Sequence, residues 1–229
     1  MKERPMIFNA EMVRAILDGR KTQTRRIMKP QPTPCTLQKG GHWWPSNVFK
    51  TMLHIEEEMQ NGKGCWGGLV GDACPFGDVG DRIWVRETWA RYNIDQDSHD
   101  MAYRATTPED WPEEGRWRPS MHMPRWASRI TLEITGVRVE RLNNISHEDA
   151  EREGIHTEVW DQTVVAKNYA AEDGFFQFWS ESMPHYVEMN ELYRSSFQSL
   201  WQSIYGAENW QANPWVWVIE FKRIEGGAA

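Results

Sequence analysis

The chain has 229 residues, a net charge of −7 and 40% hydrophobic residues. That apolar share excludes a chain disordered overall, and the acidic balance excludes a protein that simply coats nucleic acid. The mean hydropathy of −0.71 beside 14 tryptophans means that much of the core must come as indole rather than aliphatic side chains.

No run approaches the roughly 20 apolar residues of a membrane helix, and Met1–Pro5 leads into a mixed segment rather than the apolar core of a signal peptide. Cys35, Cys65 and Cys74 are an odd set at irregular spacing, which does not suggest a disulfide framework. A cytosolic protein with no membrane partner is the expectation. Charge is unevenly spread: residues 1–29 carry eight Lys or Arg against three acids, whereas the stretch from Glu148 to Glu191 is strongly acidic. A basic groove on an acidic body suits a nucleoside or nucleotide-like small molecule; a solvated basic face is the plainer reading.

In chain order, Asn9 to Leu17 predicts an amphipathic helix, with Asn9 as N-cap, Met12, Val13, Ile16 and Leu17 as its apolar stripe, and Asp18-Gly19 as its stop. Lys21 to Ile27 is Thr-rich and extended. Residues 30–75 read as an insertion, broken by Pro30, Pro32 and Pro34, with one short helix over Met52 to Met59. A turn at Gly77–Asp81 releases a strand over Arg82 to Trp89, with Met101 to Arg104 as its expected partner. An irregular loop follows, and 92–127 as a whole reads as a second insertion. Arg129 to Leu142 is the clearest strand, with a bend or bulge at Gly136. Ser146 caps a short helix with Asp149 three residues on. Residues 155–188 form a third insertion. Glu191 to Tyr205 predicts a helix through Leu192, Phe197, Leu200, Trp201 and Ile204, and Trp215 to Ile224 a last strand. The whole reads as one domain over 1–229, α+β, with a small, partly closed β-barrel, flanking helices and large loop insertions.

The densest reactive cluster is Lys21, Thr22, Thr24, Arg25 and Arg26. A lysine beside a threonine hydroxyl can act as base if burial or nearby cations lower its pKa. Three residues apart, the two side chains would face opposite ways on an ideal strand. They converge only if Lys21 sits in the turn and Thr24 begins the strand. By itself the cluster is more often a well-bonded surface turn than a site.

The segment Ile16-Leu17-Asp18-Gly19-Arg20-Lys21-Thr22-Gln23-Thr24-Arg25-Arg26 resembles the signature of the ASCH domain, a PUA-like family, and is especially similar to the G-R-K-T-x-T-x-R motif of bacterial N4-acetylcytidine amidohydrolases. Gly80-Asp81-Arg82-Ile83-Trp84-Val85, Asp149-Ala150-Glu151-Arg152-Glu153-Gly154, Tyr205 and Val218-Ile219-Glu220-Phe221-Lys222 resemble four further family motifs in the same order. The resemblance implies a triad of Thr24 as nucleophile toward an acyl carbonyl, Lys21 as its base, and Glu153 managing protons or water. It implies no cofactor and no required metal. Arg26 or nearby backbone N–H groups would supply the oxyanion donor. The compact family members lack the three insertions; at this length the chain resembles longer, prophage-type members, whose substrate is generally unassigned. An RNA- or nucleotide-binding module, ribonucleolytic or not, and a prophage regulatory protein without catalysis are the alternatives.

Other groups carry paired readings. Arg125, Trp126 and Arg129 can stack a base and contact phosphate, or can be a core Trp under surface arginines. Glu87 can face the barrel mouth and join the site, or serve as a cross-strand ion-pair partner. Cys35, His42, Cys65 and Cys74 can be combined into a zinc site, although the close C-x2-C spacing is missing.

Overall fold

A computed structural model describes residues 1–36, 40–60, 69–91, 101–112 and 115–224. Its strands, in chain order, are β1 (Glu3–Ile7), β2 (Gln23–Ile27), β3 (Thr33–Pro34), β4 (His42–Ser46), β5 (Thr51–His54), β6 (Arg82–Arg86), β7 (Trp89–Arg91), β8 (Met101–Tyr103), β9 (Thr131–Arg141), β10 (Thr157–Trp160), β11 (Thr163–Asn168), β12 (Gly174–Phe176) and β13 (Trp215–Ile224). The α-helices are α1 (Ala10–Leu17), α2 (Ile55–Glu58), α3 (Val70–Ala73), α4 (His147–Arg152), α5 (Leu192–Tyr205) and α6 (Ala207–Gln211). The fold is α+β, and no helix among the described residues is long and apolar enough to cross a membrane.

Five strands form the main sheet in the order β1-β6-β9-β13-β2. Only β1 and β6 run parallel; the other neighbours are antiparallel. The long β13 is buried on both faces, and its side chains divide by parity as strand geometry demands. Trp217, Ile219 and Phe221 enter a core with Val13, Ile16, Ile83 and Leu132. Val216 and Val218 enter a second core, with Ala150, Phe197, Leu200 and Trp201 of α4 and α5. The sheet therefore has α1 against one face and α4 and α5 against the other. Opposite Gly136 the β9–β13 register shifts between Glu220 and Phe221, where the sequence led us to expect a bulge.

The sheet is not closed into the expected barrel: β1 and β2 are its two edges. A side chain spans the seam instead. Arg26 of β2 donates from Nη2 to the Ile7 carbonyl of β1 at 2.6 Å and lies over the Phe8 ring at 5.0 Å.

Three local expectations change. Residues 51–54 are strand rather than helix, because Thr51–His54 pairs with β4; only Ile55–Glu58 is helical. The strand expected over Arg82–Trp89 breaks at Glu87-Thr88, where Glu87 turns into a buried ion pair. Consequently Met101–Tyr103 pairs with Trp89–Arg91, not with Arg82–Arg86. The stretches read as insertions contain small sheets of their own, β3-β4-β5 and β10-β11-β12.

Candidate active site

Helix α1 begins as its sequence requires, with the Asn9 side chain accepting from the Met12 N–H at 2.8 Å. It ends at Gly19, whose φ of +77° reverses the chain. Lys21 falls in the connection that follows, its N–H donating to Ala15 O at 2.9 Å, and β2 starts two residues later. Of the two expected partners only Thr24 lines the adjoining cavity; Lys21 lies behind Glu153, which does line it. The end of α4 is laid directly over Lys21. Thr22 N–H donates to Arg152 O at 2.9 Å, and Gly154 adopts φ +79°. A Cβ on Gly154 would stand 2.6 Å from the Lys21 Cβ, so only glycine permits this approach.

Glu153 is thereby turned inward. A helix acid at this position is ordinarily exposed; here it is 3% exposed and Lys21 is 2% exposed. Lys21 Nζ donates to Glu153 Oε2 at 2.7 Å and to the Glu153 carbonyl at 2.8 Å. The second carboxylate oxygen accepts from Arg25 Nη1 at 3.0 Å. Arg25 also donates to Asp149 Oδ2 at 2.9 Å and to Glu140 Oε1 at 3.1 Å from Nε. Arg138 continues the network to Asp149 and Glu220. Asp149 and Glu153 lie four residues apart, one helical turn, which is why both reach the same guanidinium.

The electrostatics of this network set the protonation states. Burial pushes the Lys21 ammonium below its ordinary pKa, against the opposing pull of Glu153. Burial alone would raise the Asp149 carboxyl, but Arg138 and Arg25 outweigh it and hold it below the usual carboxylate range.

Thr24 and Arg25 border a cavity of about 170 Å³, closed by Glu153, Met12, Phe197 and Trp201. It opens at the seam between β1 and β2, so both faces of the edge strand contribute to it. The Thr24 hydroxyl has no hydrogen-bond partner among the described residues, and Lys21 Nζ spends its bonds on Glu153 rather than on Thr24. Thr24 is opposite Ile219, and Thr22 O accepts from Phe221 N–H at 2.8 Å. By antiparallel alternation, the N–H groups of Gln23 and Arg25 therefore point away from β13, toward the seam.

Of the other expected site residues, Arg26 lines the same cavity. Glu87, Arg125, Trp126 and Arg129 do not. Glu87 is 2% exposed and forms a bidentate pair with Arg129, at 2.9 and 3.0 Å. Arg129 in turn lies over the Tyr103 ring at 4.0 Å. The cross-strand ion-pair reading of Glu87 is the one the geometry fits. Arg125 donates to Glu3 Oε2 at 3.0 Å, and the exposed Trp126 meets Trp89 edge-on at 5.7 Å. These four sit together around β6, β7 and β8, remote in contact from Lys21.

Cys35, His42 and Cys74 form no metal-binding group among the described residues, and Cys65 lies outside them. His42 is held by Glu56 at 2.7 Å and Arg141 at 3.0 Å, while burial pushes the Cys74 thiol up to about 12.

Sequence reasoning missed Glu140, Arg138 and Gly154 as members of the site. The i,i+4 acids Asp149 and Glu153 were the one available signal for the network; the others depend on strand register. No protein-family model, no curated protein and no solved structure matches this chain.

Proposed function

We propose that the chain is an ASCH-type, PUA-like amidohydrolase acting on an N-acylated cytidine-like nucleoside or base. The observation that carries this is the buried Lys21–Glu153 pair, 2.7 Å apart, beside a cavity that also presents the unbonded Thr24 hydroxyl. The sequence resemblance supplies the roles, and the geometry is compatible with them.

In this reading Thr24 Oγ1 attacks the acyl carbonyl carbon while a neutral Lys21 accepts the hydroxyl proton. Lysine ordinarily holds its proton far too well for this task, and burial of Lys21 lowers that hold. The tetrahedral oxyanion would be met by the seam-facing N–H of Arg25, the residue after the nucleophile, with Arg26 beside it. Collapse breaks the C–N bond, and the Lys21 proton passes to the departing exocyclic amine. Water then attacks the Thr24 ester, its proton taken by the Lys21–Glu153 pair and passed to Thr24 Oγ1 as the acyl C–O bond breaks and the carboxylate product leaves. Glu153 holds Lys21 in place, and Arg25 and Gly154 hold Glu153.

The test is release of acetate and cytidine from N4-acetylcytidine by the purified protein. Thr24→Ala and Lys21→Met are expected to lose activity on the order of a hundredfold or more. A wild-type protein with no hydrolysis at high enzyme concentration overturns the proposal. A second reading, a pocket that binds a nucleoside without cleaving it, is favoured by the same ammonium, because two acceptors of Glu153 already hold it. Tight binding of cytidine without turnover of its acetylated form would select that reading.

A further inference from the structure

Beyond the acyl cavity, the seam contains a second feature that the triad does not use. Arg26, Lys29 and Arg86 line one groove of about 380 Å³ with Ile7, Phe76 and Tyr205, and no carboxylate is among its lining residues. In a chain of net charge −7 this is unusual. Elsewhere the arginines with structural roles are neutralised: Arg25 by Glu153, Asp149 and Glu140, Arg129 by Glu87, Arg138 by Asp149 and Glu220, Arg125 by Glu3. Among the described residues, Arg26, Lys29 and Arg86 form no salt bridge; Arg26 feels the Glu153 carboxylate across the acyl cavity, and Lys29 and Arg86 face no acid in the groove.

Two of the three are nevertheless fixed in place. Arg26 donates to the Ile7 carbonyl at 2.6 Å, and its buried Nε is left without a partner. Arg86 donates from Nε to the Met123 carbonyl at 3.2 Å and also to the Met121 carbonyl. Ile7 accepts from Arg26, is the backbone register partner of Arg86, and lines the groove with both. Main-chain carbonyls orient a guanidinium without cancelling its charge. Lys29 is exposed and adds a third cation. Fixed planar donors with a full positive charge and no resident acid are the chemistry of a phosphate site.

The groove and the acyl cavity share Ile7, Arg26 and Tyr205 along their linings. A ligand with its base in the cavity would extend its sugar across this boundary. We propose that the groove is a phosphate subsite and that the ligand of the seam is a phosphorylated pyrimidine nucleotide rather than an unmodified nucleoside. The base end of this statement rests on the amidohydrolase reading; the phosphate end rests on the groove alone.

Calorimetric titration of cytidine and cytidine 5′-monophosphate into the purified protein tests both ends. The monophosphate is expected to bind at least about tenfold more tightly, and Lys29→Glu to erase that advantage while Lys29→Arg keeps it. Because Lys29 is exposed, these variants leave the fold intact. Equal affinity of the two ligands overturns the subsite. If neither binds, phosphorus NMR line broadening of inorganic phosphate separates the failures. Broadening by the wild type but not by Lys29→Glu retains the subsite and discards the nucleoside reading, and no broadening discards both. A short oligoribonucleotide that displaces the monophosphate with higher, salt-sensitive affinity overturns the mononucleotide assignment in favour of RNA.

Discussion

Two buried carboxylates, Glu153 at the end of α4 and Glu87 after β6, look alike by burial: they are 3% and 2% exposed, and each meets an arginine. Their surroundings separate them. Glu87 faces one guanidinium whose side chain keeps 26% of its exposure, and the pair ends on a tyrosine ring. Glu153 faces two cations whose side chains are wholly buried, Lys21 and Arg25, and borders a cavity with an unbonded hydroxyl. A buried ion pair is weak evidence of function on its own; the same pair beside a void and an unbonded hydroxyl is a candidate site.

Like-for-like substitutions sharpen that contrast. Glu153→Gln is expected to be the most damaging, about 3–5 kcal/mol by urea unfolding, because it leaves two desolvated cations short of charge. Gly154→Ala follows at about 1–3 kcal/mol, through a positive φ and a 2.6 Å collision with Lys21. Its activity loss should exceed what the stability change explains, because the collision moves the proposed base. Glu87→Gln is expected to cost about 1–2 kcal/mol, with water able to reach Arg129, and to leave hydrolysis unaffected. An activity loss equal to that of Glu153→Gln would erase the distinction between the two regions.

The gentlest perturbation is titration. The folded Asp149 carboxyl sits below its ordinary value, so its stabilising contribution is complete above about pH 3.9 and is lost as pH falls through the depressed folded value. Lys21 acts in the same direction at the alkaline end. Its folded pKa is lowered, so the unfolded chain binds its proton more tightly, and stability gains as pH rises from the folded value toward about 10.4. Urea midpoints across pH report both slopes; in Asp149→Asn the acid slope should shrink, and in Lys21→Met the alkaline one.

Elements whose determinants are local were readable from the residues alone. The Asn9 cap, the Gly19 stop, the stripe of α5 as far as Trp201 and the bulge at Gly136 depend on neighbours within a few positions, whereas Ile204, expected in that stripe, is 42% exposed. Where a distant partner decides, local pattern failed. Thr51–His54 becomes strand because β4 is there to pair with it, and Glu87 leaves its strand because Arg129 is waiting. Sheet closure was misjudged for the same reason, since alternation along a strand says nothing about whether the first edge meets the last. Within the site, Lys21 and Thr24 stood out by residue type and by resemblance. The inward turn of Glu153 was not legible as packing, because it depends on a glycine whose role appears only when Lys21 lies beneath it.

The seam left between β1 and β2 has a consequence for the exchange of individual amide protons. On β2 the N–H groups alternate between the ladder to β13 and the open side, so Thr24 and Arg26 should hold their protons against deuterium while Gln23 and Arg25 release theirs quickly. A molecule seated in the seam would slow the second pair and leave the first unchanged. Two adjacent amides, Thr24 and Arg25, thus become an internal reference and a sensor, reporting occupancy of the cavity without any turnover at all.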